Sequence, residues 1–164
     1  MKVHLRRKDK EIVEEAILKE ILKTSKYITV AFSKEDQPYL VSLSHGYDES
    51  RNCIYFHCAK EGKKLDYLKA NSNVWGQALV DHGYQEGECN HYYTTVHFKG
   101  RALILNNIEE KRKAMECMIR QLNKKPDQLI AKLETETLQN TVLGRIDIED
   151  MTGKKNLGIG AQPT

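Results

Sequence analysis

Residues 39–68, YLVSLSHGYDESRNCIYFHCAKEGKKLDYL, contain the pattern that decides the fold of this chain. Apolar and serine residues alternate in LVSLS, at residues 40–44, and this is the period-two pattern of a half-buried strand. The β-branched and aromatic side chains of IYFH, at residues 54–57, favour a second strand. Turn-forming residues, DESRN at 48–52, lie between the two, so the stretch predicts a β-hairpin.

A short helix is expected directly after this hairpin. Gly62 ends a polar run, and residues 63–70 then place two leucines three positions apart, as one face of a helix requires. The free N–H groups of the helix start, together with Lys63 and Lys64, would suit a phosphate. Gly62 would let the backbone come close to it. A Glu-Gly-Lys-Lys turn is also common as a solvated connection, so the turn alone does not define an anion site.

The rest of the chain adds further strands and helices. Alternating or β-branched runs predict strands at residues 27–33, 74–81, 92–105 and 141–148. Amphipathic spacing predicts helices at residues 9–23 and 108–122, and Pro126 is expected to open a third helical segment. About six antiparallel strands interrupted by helices favour a small barrel with helices packed outside it.

Several positions carry local expectations. Asp9 is expected to cap the first helix, Gly100 to mark a bend or bulge in the long strand, and Trp75 to lie in the core. The polar segment at residues 82–91 reads as a surface loop. The chain after Gly153 reads as a loose tail.

Length and composition bound the class of protein. We expect one domain over residues 1–155, followed by a flexible C-terminal tail at residues 156–164. The 26 Lys and Arg residues against 23 Asp and Glu give a net charge of +3, too small to indicate nucleic acid as a partner. No apolar run approaches the roughly 20 residues of a membrane span, and the basic N-terminus leads into a charged helix. These features predict a cytoplasmic protein without a membrane partner.

Cysteine spacing points neither to disulfides nor to a metal. The chain has no Cys-x-x-Cys pair, so free thiols are expected at all four cysteines, Cys53, Cys58, Cys89 and Cys117. A zinc or iron site built from His82, Cys89 and His91 would have none of the usual ligand spacings. We therefore expect no metal.

Four stretches of the chain resemble, in the right order, segments of one flavoprotein family. HCAKEGKKLDYLKAN (57–71) resembles a His-Ser-Ala-x-x-Gly-Arg-Lys-x-x-x-Leu segment, and PYLVSLSHGYD (38–48) a Pro-Tyr-Val-Val-Pro-Val-x-Phe-x-Tyr strand. YYTTVHFKGRALIL (92–105) resembles a Tyr-x-Ser-Val-x-x-x-Gly-x-Ala strand, and DIEDMTGKK (147–155) a closing Met/Ile-Thr-Gly-Lys segment. These segments belong to the pyridoxamine 5'-phosphate oxidase-like flavoproteins, in the nitroimidazole-resistance (Nim-type) branch of the FMN-binding split barrels.

The resemblance covers residues 12–155 and implies a fold and a cofactor. The implied fold is mainly β with α, in the α+β class: a six-stranded antiparallel split β-barrel with peripheral helices. The implied cofactor is FMN, in a homodimer whose flavin lies at the subunit interface. The implied cofactor-binding residues lie on four elements and are Val41, Ser42, Leu43, Ser44, His57, Cys58, Lys63, Lys64, Thr94 and Thr95.

Each group of these residues has its own implied role. Lys63 and Lys64 would hold the phosphate, Lys64 being the better match to the family's basic step. A lysine there keeps the charge of arginine but loses its bidentate fork. The strand from Val41 would offer backbone groups to the polar edge of the flavin ring. The hydroxyls of the two threonines could reach phosphate or ribityl oxygens, although threonines in a strand are most often there for β propensity.

The resemblance implies a flavin-dependent oxidoreductase that takes a small-molecule electron donor and acceptor, with nitroaromatic compounds among the acceptors. No general acid or base is evident, so catalytic residues remain unassigned. His57 at a strand end is as often a surface histidine as a cofactor contact. Two positions depart from the family pattern, since His45 replaces a phenylalanine and Ser42 a proline. A non-catalytic flavin-nucleotide-binding protein and a haem-binding split barrel stay open as alternatives.

Overall fold

The computed structural model describes residues 6–157. A short 3-10 helix, Lys8–Lys10, precedes seven strands and five α-helices. The strands are β1 (Glu11–Ile12), β2 (Tyr27–Lys34), β3 (Gln37–Asp48), β4 (Cys53–Cys58), β5 (Asn73–Gln85), β6 (Asn90–Ile104) and β7 (Val142–Asn156). The helices are α1 (Glu15–Thr24), α2 (Lys63–Ala70), α3 (Ile108–Leu122), α4 (Pro126–Ile130) and α5 (Thr135–Asn140).

Six of the strands form a closed ring. The hydrogen-bonded order is β7-β4-β3-β2-β5-β6, and β6 pairs back onto β7. Every pairing is antiparallel, and the two-residue strand β1 adds to the outer edge of β7. The predicted α+β fold, a six-stranded antiparallel split barrel with peripheral helices, is therefore confirmed.

The barrel interior is filled by alternate side chains of the strands, as a period of two requires. Phe32, Phe56 and Phe98 are the largest of them that are apolar throughout. Two of these rings lie over glycines on the neighbouring strand: a Cβ atom at Gly76 would come within 2.2 Å of the Phe98 ring, and one at Gly144 within 2.3 Å of Phe56. The glycines thus make room for aromatic side chains that fill the narrow barrel.

A second core lies between the barrel wall and α3. Its members are buried and come from β4, β7, α3, α5 and the residue after β6: Cys53, Tyr55, Leu105, Ala114, Met118, Leu138 and Leu143. The approach is close, because a Cβ atom at Gly46 on β3 would lie 2.6 Å from the backbone nitrogen of Met118. Both α2 and α3 have the bounds that the sequence predicts.

The first helix begins later than its sequence pattern predicts. Ile12 belongs to β1, pairs with Gly153 and is buried in the core, whereas α1 starts at Glu15 with Glu14 as its N-cap residue. Asp9 does not cap α1 but lies in the 3-10 helix, where it accepts hydrogen bonds from Arg7. The helical spacing of Ile12 is thus accidental, since this side chain reaches the core from a strand.

The predicted surface loop at residues 82–91 is wrong. Strands β5 and β6 continue into a two-stranded arm whose ladder reaches Gln85 and Asn90, with a register shift between Asp81 and Gly83. The arm is largely exposed and polar, so neither of its faces shows the alternation that marks a half-buried strand. The predicted irregularity at Gly100 is confirmed, because the β6–β7 register shifts there.

Three smaller differences concern Trp75, α5 and the chain end. Trp75 lies on the outer face of β5 and is 45% exposed, so its assignment to the core is wrong. The short helix α5 was not predicted. Residues 154–156 are not a loose tail but continue β7, and the Asn156 side chain donates a hydrogen bond to the carbonyl oxygen of His91. The remaining predicted tail, residues 158–164, lies outside the described residues.

No helix in the described part of the chain has both the length and the apolar character that a membrane crossing needs.

Candidate functional site

Strand β3 changes partners halfway along its length. Residues 37–44 pair only with β2, and residues 45–48 pair only with β4. The β3–β4 ladder ends at His45 and Phe56. The next positions along the two strands, Ser44 and His57, are therefore not paired with each other, although each pairs with its strand on the other side. A gap therefore opens in the barrel wall, and it exposes one backbone edge of residues 37–44.

The two halves of β3 differ in how their free edge is satisfied. In the second half, the Tyr47 N–H donates to Oε1 of Gln121 on α3 at 2.8 Å. In the first half, no residue of 6–157 supplies a hydrogen-bond partner to the backbone edge that faces away from β2. Backbone N–H and C=O groups need partners, and this edge offers a row of them to a ligand or to water.

The start of α2 lies beside this gap. Gly62 is the N-cap residue and has a φ of 137°, a backbone conformation that L side chains rarely adopt. It provides no side-chain cap, and the first N–H groups to return to its carbonyl oxygen are those of Leu65 and Asp66. The N–H groups of Lys63 and Lys64 therefore remain available to an anion at the helix start.

Lys64 is the half-buried cation of this region. Its Nζ atom lies 5.7 Å from the centroid of the Phe56 ring, and the Cys58 thiol is close enough to interact with its charge. Burial lowers the pKa of Lys64, because an ammonium group loses solvation there. Burial raises the pKa of Cys58, which the neighbouring Lys64 charge partly offsets. An anionic ligand would restore the partner that Lys64 lacks in the described residues.

Lys63 points to a different neighbourhood. Its Nζ atom lies 4.9 Å from the Tyr39 ring centroid and 5.5 Å from that of Tyr67. These two rings are 5.3 Å apart and join β3 to α2. Lys63 is exposed, so this cation–π contact is worth about 0.5–1 kcal/mol. Of the two predicted phosphate-binding lysines, Lys64 is the one held within the wall.

The remaining predicted residues of β3 and β4 line the same gap in different ways. The Leu43 side chain is buried and Val41 packs on the core, so only their backbone groups face outward. Ser42 and Ser44 have exposed side chains, as the alternation predicts. His57 is exposed at the end of β4, next to the half-buried Cys58. The structure thus places seven of the ten predicted residues around one opening, and the Lys63 side chain points to the neighbouring tyrosines instead.

Thr94 and Thr95 lie elsewhere on the barrel. They are on β6, three strands from β3 in either direction around the ring, which corresponds to about 14 Å measured along the barrel wall. Both are buried, and both hydroxyls have partners: Thr94 Oγ1 is 2.9 Å from Nε2 of His82, and Thr95 Oγ1 donates to the Ala78 carbonyl oxygen. Within one chain, these threonines are therefore not part of the opening beside β3.

His45, the departure from the family pattern, points away from the opening. It has no exposed surface, and its Nε2 atom lies 2.9 Å from the Leu22 carbonyl oxygen and 3.1 Å from Nε2 of Gln121. Burial lowers the pKa of this imidazole. The substitution at position 45 therefore alters the packing under α1 and α3 rather than the surface of the opening.

A surface depression of about 830 Å³ lies at the other end of β3. It lies between α3 and the turn that follows β3. Most of its charged side chains already pair with protein groups, as Lys23 does with Glu49, Lys113 with Asp48 and Arg120 with Asp127. Size alone therefore does not make it the better candidate site.

The sequence patterns did not identify a second polar group on the outer face of the barrel. Gln77, His97 and Lys154 surround a depression of about 280 Å³ there, with Leu79, Tyr93 and Thr95. In the strand predicted at residues 74–81, a period of two puts Trp75, Gln77 and Leu79 on one face. It did not show that this face points outward.

Neither the cysteines nor the histidines form a further centre. All four cysteines are free thiols, as predicted. Within residues 6–157, no three His, Cys, Asp or Glu side chains are grouped so that they could hold a metal ion. His91 instead pairs with Asp81 at 2.8 Å, and His82 with Thr94, so the three residues weighed as metal ligands do not converge.

A closed ring of six antiparallel strands, opened locally beside a basic helix start, defines a split-barrel protein. The chain belongs to the pyridoxamine 5'-phosphate oxidase family, because the model of that family matches residues 14–155. The family predicted from the four sequence segments is thereby confirmed. No curated protein matches the chain.

Solved structures of similar fold include three with named properties. A proposed 5-nitroimidazole antibiotic resistance protein from Bacteroides thetaiotaomicron is 24% identical, with a TM-score of 0.77 over 88% of this chain and 86% of that chain. A flavocytochrome from Azotobacter vinelandii is 14% identical, with a TM-score of 0.78 over 94% and 73%. A FAD-binding protein from Mesorhizobium loti is 21% identical, with a TM-score of 0.64 over 88% and 96%. At these identities the comparison establishes the fold.

Proposed function

We propose that this protein binds FMN in the opening beside β3 and acts as a flavin-dependent oxidoreductase of the nitroreductase type. The observation that carries the proposal is the free backbone edge of residues 37–44 next to the half-buried Lys64. Family membership supports it, and so do the names of two structural relatives, one FAD-binding and one assigned to nitroimidazole resistance.

The residues present fit a flavin mononucleotide. The phosphate would lie at the start of α2, where Lys64 and two free N–H groups supply charge and hydrogen-bond donors. The polar edge of the flavin ring would take backbone groups of the strand at Val41–Ser44. His57 and Cys58 would close the side of the site. Gly62 has open space on its Cβ side, so a bulky phosphate can approach the backbone there.

A bound flavin supplies the hydride and electron chemistry, and the protein supplies binding, orientation and access. In the opening, backbone groups of β3 would orient the ring, and the partly buried wall beside Lys64 would reduce water access. The electron donor would be a reduced nicotinamide nucleotide and the acceptor a nitroaromatic compound. None of the described side chains is placed as a general acid, so the catalytic residues stay unassigned.

We further propose that the protein is a homodimer with the flavin at the subunit interface. The outer face of β3, β2 and β5 carries exposed apolar side chains. Leu40, 66% exposed, and Trp75, 45% exposed, lie opposite the two sides of Ala31, and Leu79, 51% exposed, lies four residues further along β5 on the same face. Contiguous apolar surface of this kind is uncommon on monomers. Pairing of two copies would also bring Thr95 of one copy toward a flavin held by the other. Within a single chain, Thr95 does not reach the opening beside β3.

The visible absorption spectrum of the purified protein tests the cofactor. We expect flavin bands and release of a chromophore with the mass of FMN. Release of FAD would show that the bound nucleotide is FAD and not FMN. A Soret band would show that the cofactor is haem and not a flavin. A colourless protein that takes up no added FMN would overturn the proposal.

Substitution of Lys64 tests the site. Lys64→Ala should weaken FMN binding by about 1.5–3 kcal/mol, because it removes a charge-assisted contact to the phosphate. Lys69→Ala, which removes an exposed lysine from the last turn of the same helix, should leave the affinity unchanged. Fluorescence titration of the apoprotein with FMN measures both. Equal affinities in the two variants would remove Lys64 from the site.

Turnover separates an enzyme from a binding protein. The flavin-loaded protein should oxidise NADH or NADPH faster when a nitroaromatic acceptor is present. A protein that holds flavin but leaves both donors untouched would be a flavin-binding module, and the oxidoreductase proposal would fail while the cofactor assignment stands.

A further inference from the structure

The depression lined by Lys154 on the outer face of the barrel has the composition of a small binding site. It has a volume of about 280 Å³ and adjoins a second depression of about 150 Å³, with which it shares Gln77 and His97. Apolar walls come from Leu79 and Tyr93 in the first and from Leu40 and Trp75 in the second. Apolar walls with a few convergent polar groups are the usual architecture of ligand sites.

Three polar side chains of the first depression lack partners in the fold. Within residues 6–157, the side chains of Gln77, His97 and Lys154 make no hydrogen bond and no ion pair. They converge because of the register: His97 lies opposite Gln77, and Lys154 lies opposite Thr95, two positions from His97 along β6. Burial of part of its ring and the charge of Lys154 lower the pKa of His97, which keeps the imidazole neutral at pH 7.

The electrostatics of the depression favour an anion. Lys154 is the only charged residue among the six that line it, and its Nζ atom lies 6.0 Å from the Tyr93 ring centroid. Glu11 is the cross-strand neighbour of Lys154 on β1, but the two side chains form no ion pair. A neutral imidazole and a carboxamide beside one ammonium group can together bind a carboxylate through several hydrogen bonds.

We propose that this depression binds aromatic carboxylates. Given the oxidoreductase function and the homodimer proposed above, in which this face meets the partner copy and Thr95 comes toward the partner's flavin, it selects acceptors that carry a carboxylate on an aromatic ring. Lys154 holds the carboxylate, Gln77 and His97 orient it, and the aromatic ring packs on Leu79 and Tyr93. Thr95 is not needed for binding, because its hydroxyl already donates to Ala78. The combined size of the two depressions suits a single substituted ring.

Direct binding tests the site without turnover. Benzoate and benzamide are titrated into the purified full-length protein by calorimetry or by NMR. Benzoate should bind more tightly than benzamide, and Lys154→Ala should weaken benzoate about tenfold or more while leaving benzamide unchanged, because only the charged contact is lost. Lys99→Ala is the matched control, since it removes a lysine from β6 that lies outside the depression and two residues from His97.

Three results would overturn the proposal: equal affinities for the two ligands, no effect of Lys154→Ala, or an equal effect of Lys99→Ala. Glu11→Gln, which removes the one carboxylate that neighbours Lys154 across the ladder, should strengthen benzoate binding. Weakening by this variant would also count against a carboxylate at Lys154.

Flavin affinity separates this site from the cofactor site. Lys154→Ala should retain the FMN affinity of the unaltered protein. A loss of FMN affinity as large as that of Lys64→Ala would mean that Lys154 binds the cofactor's phosphate. That result would overturn the carboxylate site. Benzoate binding that depends on Lys154 in a protein without flavin would uphold the site and reject the oxidoreductase function. In the loaded protein, KM for 4-nitrobenzoate but not for 4-nitrobenzamide should rise in Lys154→Ala.

Discussion

His45 shows how one residue can depart from the family pattern and still fit the core. Its Nε2 atom reaches the Leu22 carbonyl oxygen, and the Gln121 side chain joins it to the end of α1 and to the second half of β3. The other ring nitrogen, Nδ1, is buried without a hydrogen-bond partner in the described residues. A protonated ring would place a second donor there with nothing to accept from it, and this favours the neutral form.

The buried His45 should make stability depend on pH. Because burial lowers its pKa in the folded state below the ordinary value of 6.5, the unfolded chain binds more protons than the folded chain below about pH 6.5. The free energy of unfolding should therefore fall as the pH drops from 7.5 to 5.5, with a slope from this group of at most about 1.4 kcal/mol per pH unit. His45→Phe should remove that slope, as urea unfolding at several pH values would measure. Parallel curves for the two proteins would contradict this assignment.

At the scale of elements, β3 joins two different environments. Its first half offers a free edge at the opening, and its second half is fixed against α3 through Gln121 and the close approach at Gly46. A rigid second half holds the free edge in place, because both belong to one continuous strand. Helix α3 therefore supports the candidate site without contributing a residue to it.

Gly46→Ala should loosen this support. The added methyl group would lie within 2.8 Å of backbone atoms of Cys117 and Met118, so either the helix or the strand must move. We expect a loss of about 1–3 kcal/mol in the free energy of unfolding, the usual cost of overpacking. Gln37→Ala, at an exposed position of the same strand, is the control and should change it by less than about 0.5 kcal/mol. Equal stabilities in denaturant unfolding would show that α3 can shift at little cost.

The elements that the sequence predicts well are those with a local signal. Helices α2 and α3 have the predicted bounds. Their signals are local, because the apolar spacing and the N-cap residues Gly62 and Asn107 all lie within or next to the helix itself. The β5–β6 arm was missed because an exposed ladder needs no alternation. Ile12 was assigned to a helix because its burial depends on Gly153, a strand neighbour more than a hundred residues away.

The candidate site was only partly predictable, because some of its residues are brought together by local pattern and others by long-range strand pairing. Residues 41–64 come together through one hairpin and one helix, so their proximity follows from the local pattern. The position of Thr94 and Thr95 three strands away depends on the order of the ring, which no local spacing encodes. The exposure of Trp75 and the convergence of His97 with Lys154 depend on the same long-range pairing.

At the scale of the whole molecule, the apolar outer face predicts self-association. Leu79→Glu should convert the proposed dimer to a monomer, because it places a charge in the centre of that face without disturbing the barrel interior. Val13→Glu introduces the same change at an apolar residue that is 79% exposed on β1's flank, and it should leave the dimer intact. Sedimentation velocity distinguishes the two. A monomeric unaltered protein, or equal dissociation in both variants, would contradict the proposed interface.

The ring closes through β7, which leaves the ribosome after the other five strands of the ring. Until residues 142–156 have been synthesised, β4 and β6 each have one backbone edge without a partner strand. Both strands also carry apolar side chains that are buried in the folded protein. A nascent chain in this state is an open apolar sheet, and unpaired edges of that kind are where aggregation begins. Because β7 must find partners from both halves of the chain, closure comes late and after many residues have been made. Production of this protein in cells should therefore depend on chaperone holding during synthesis more than its modest size would suggest.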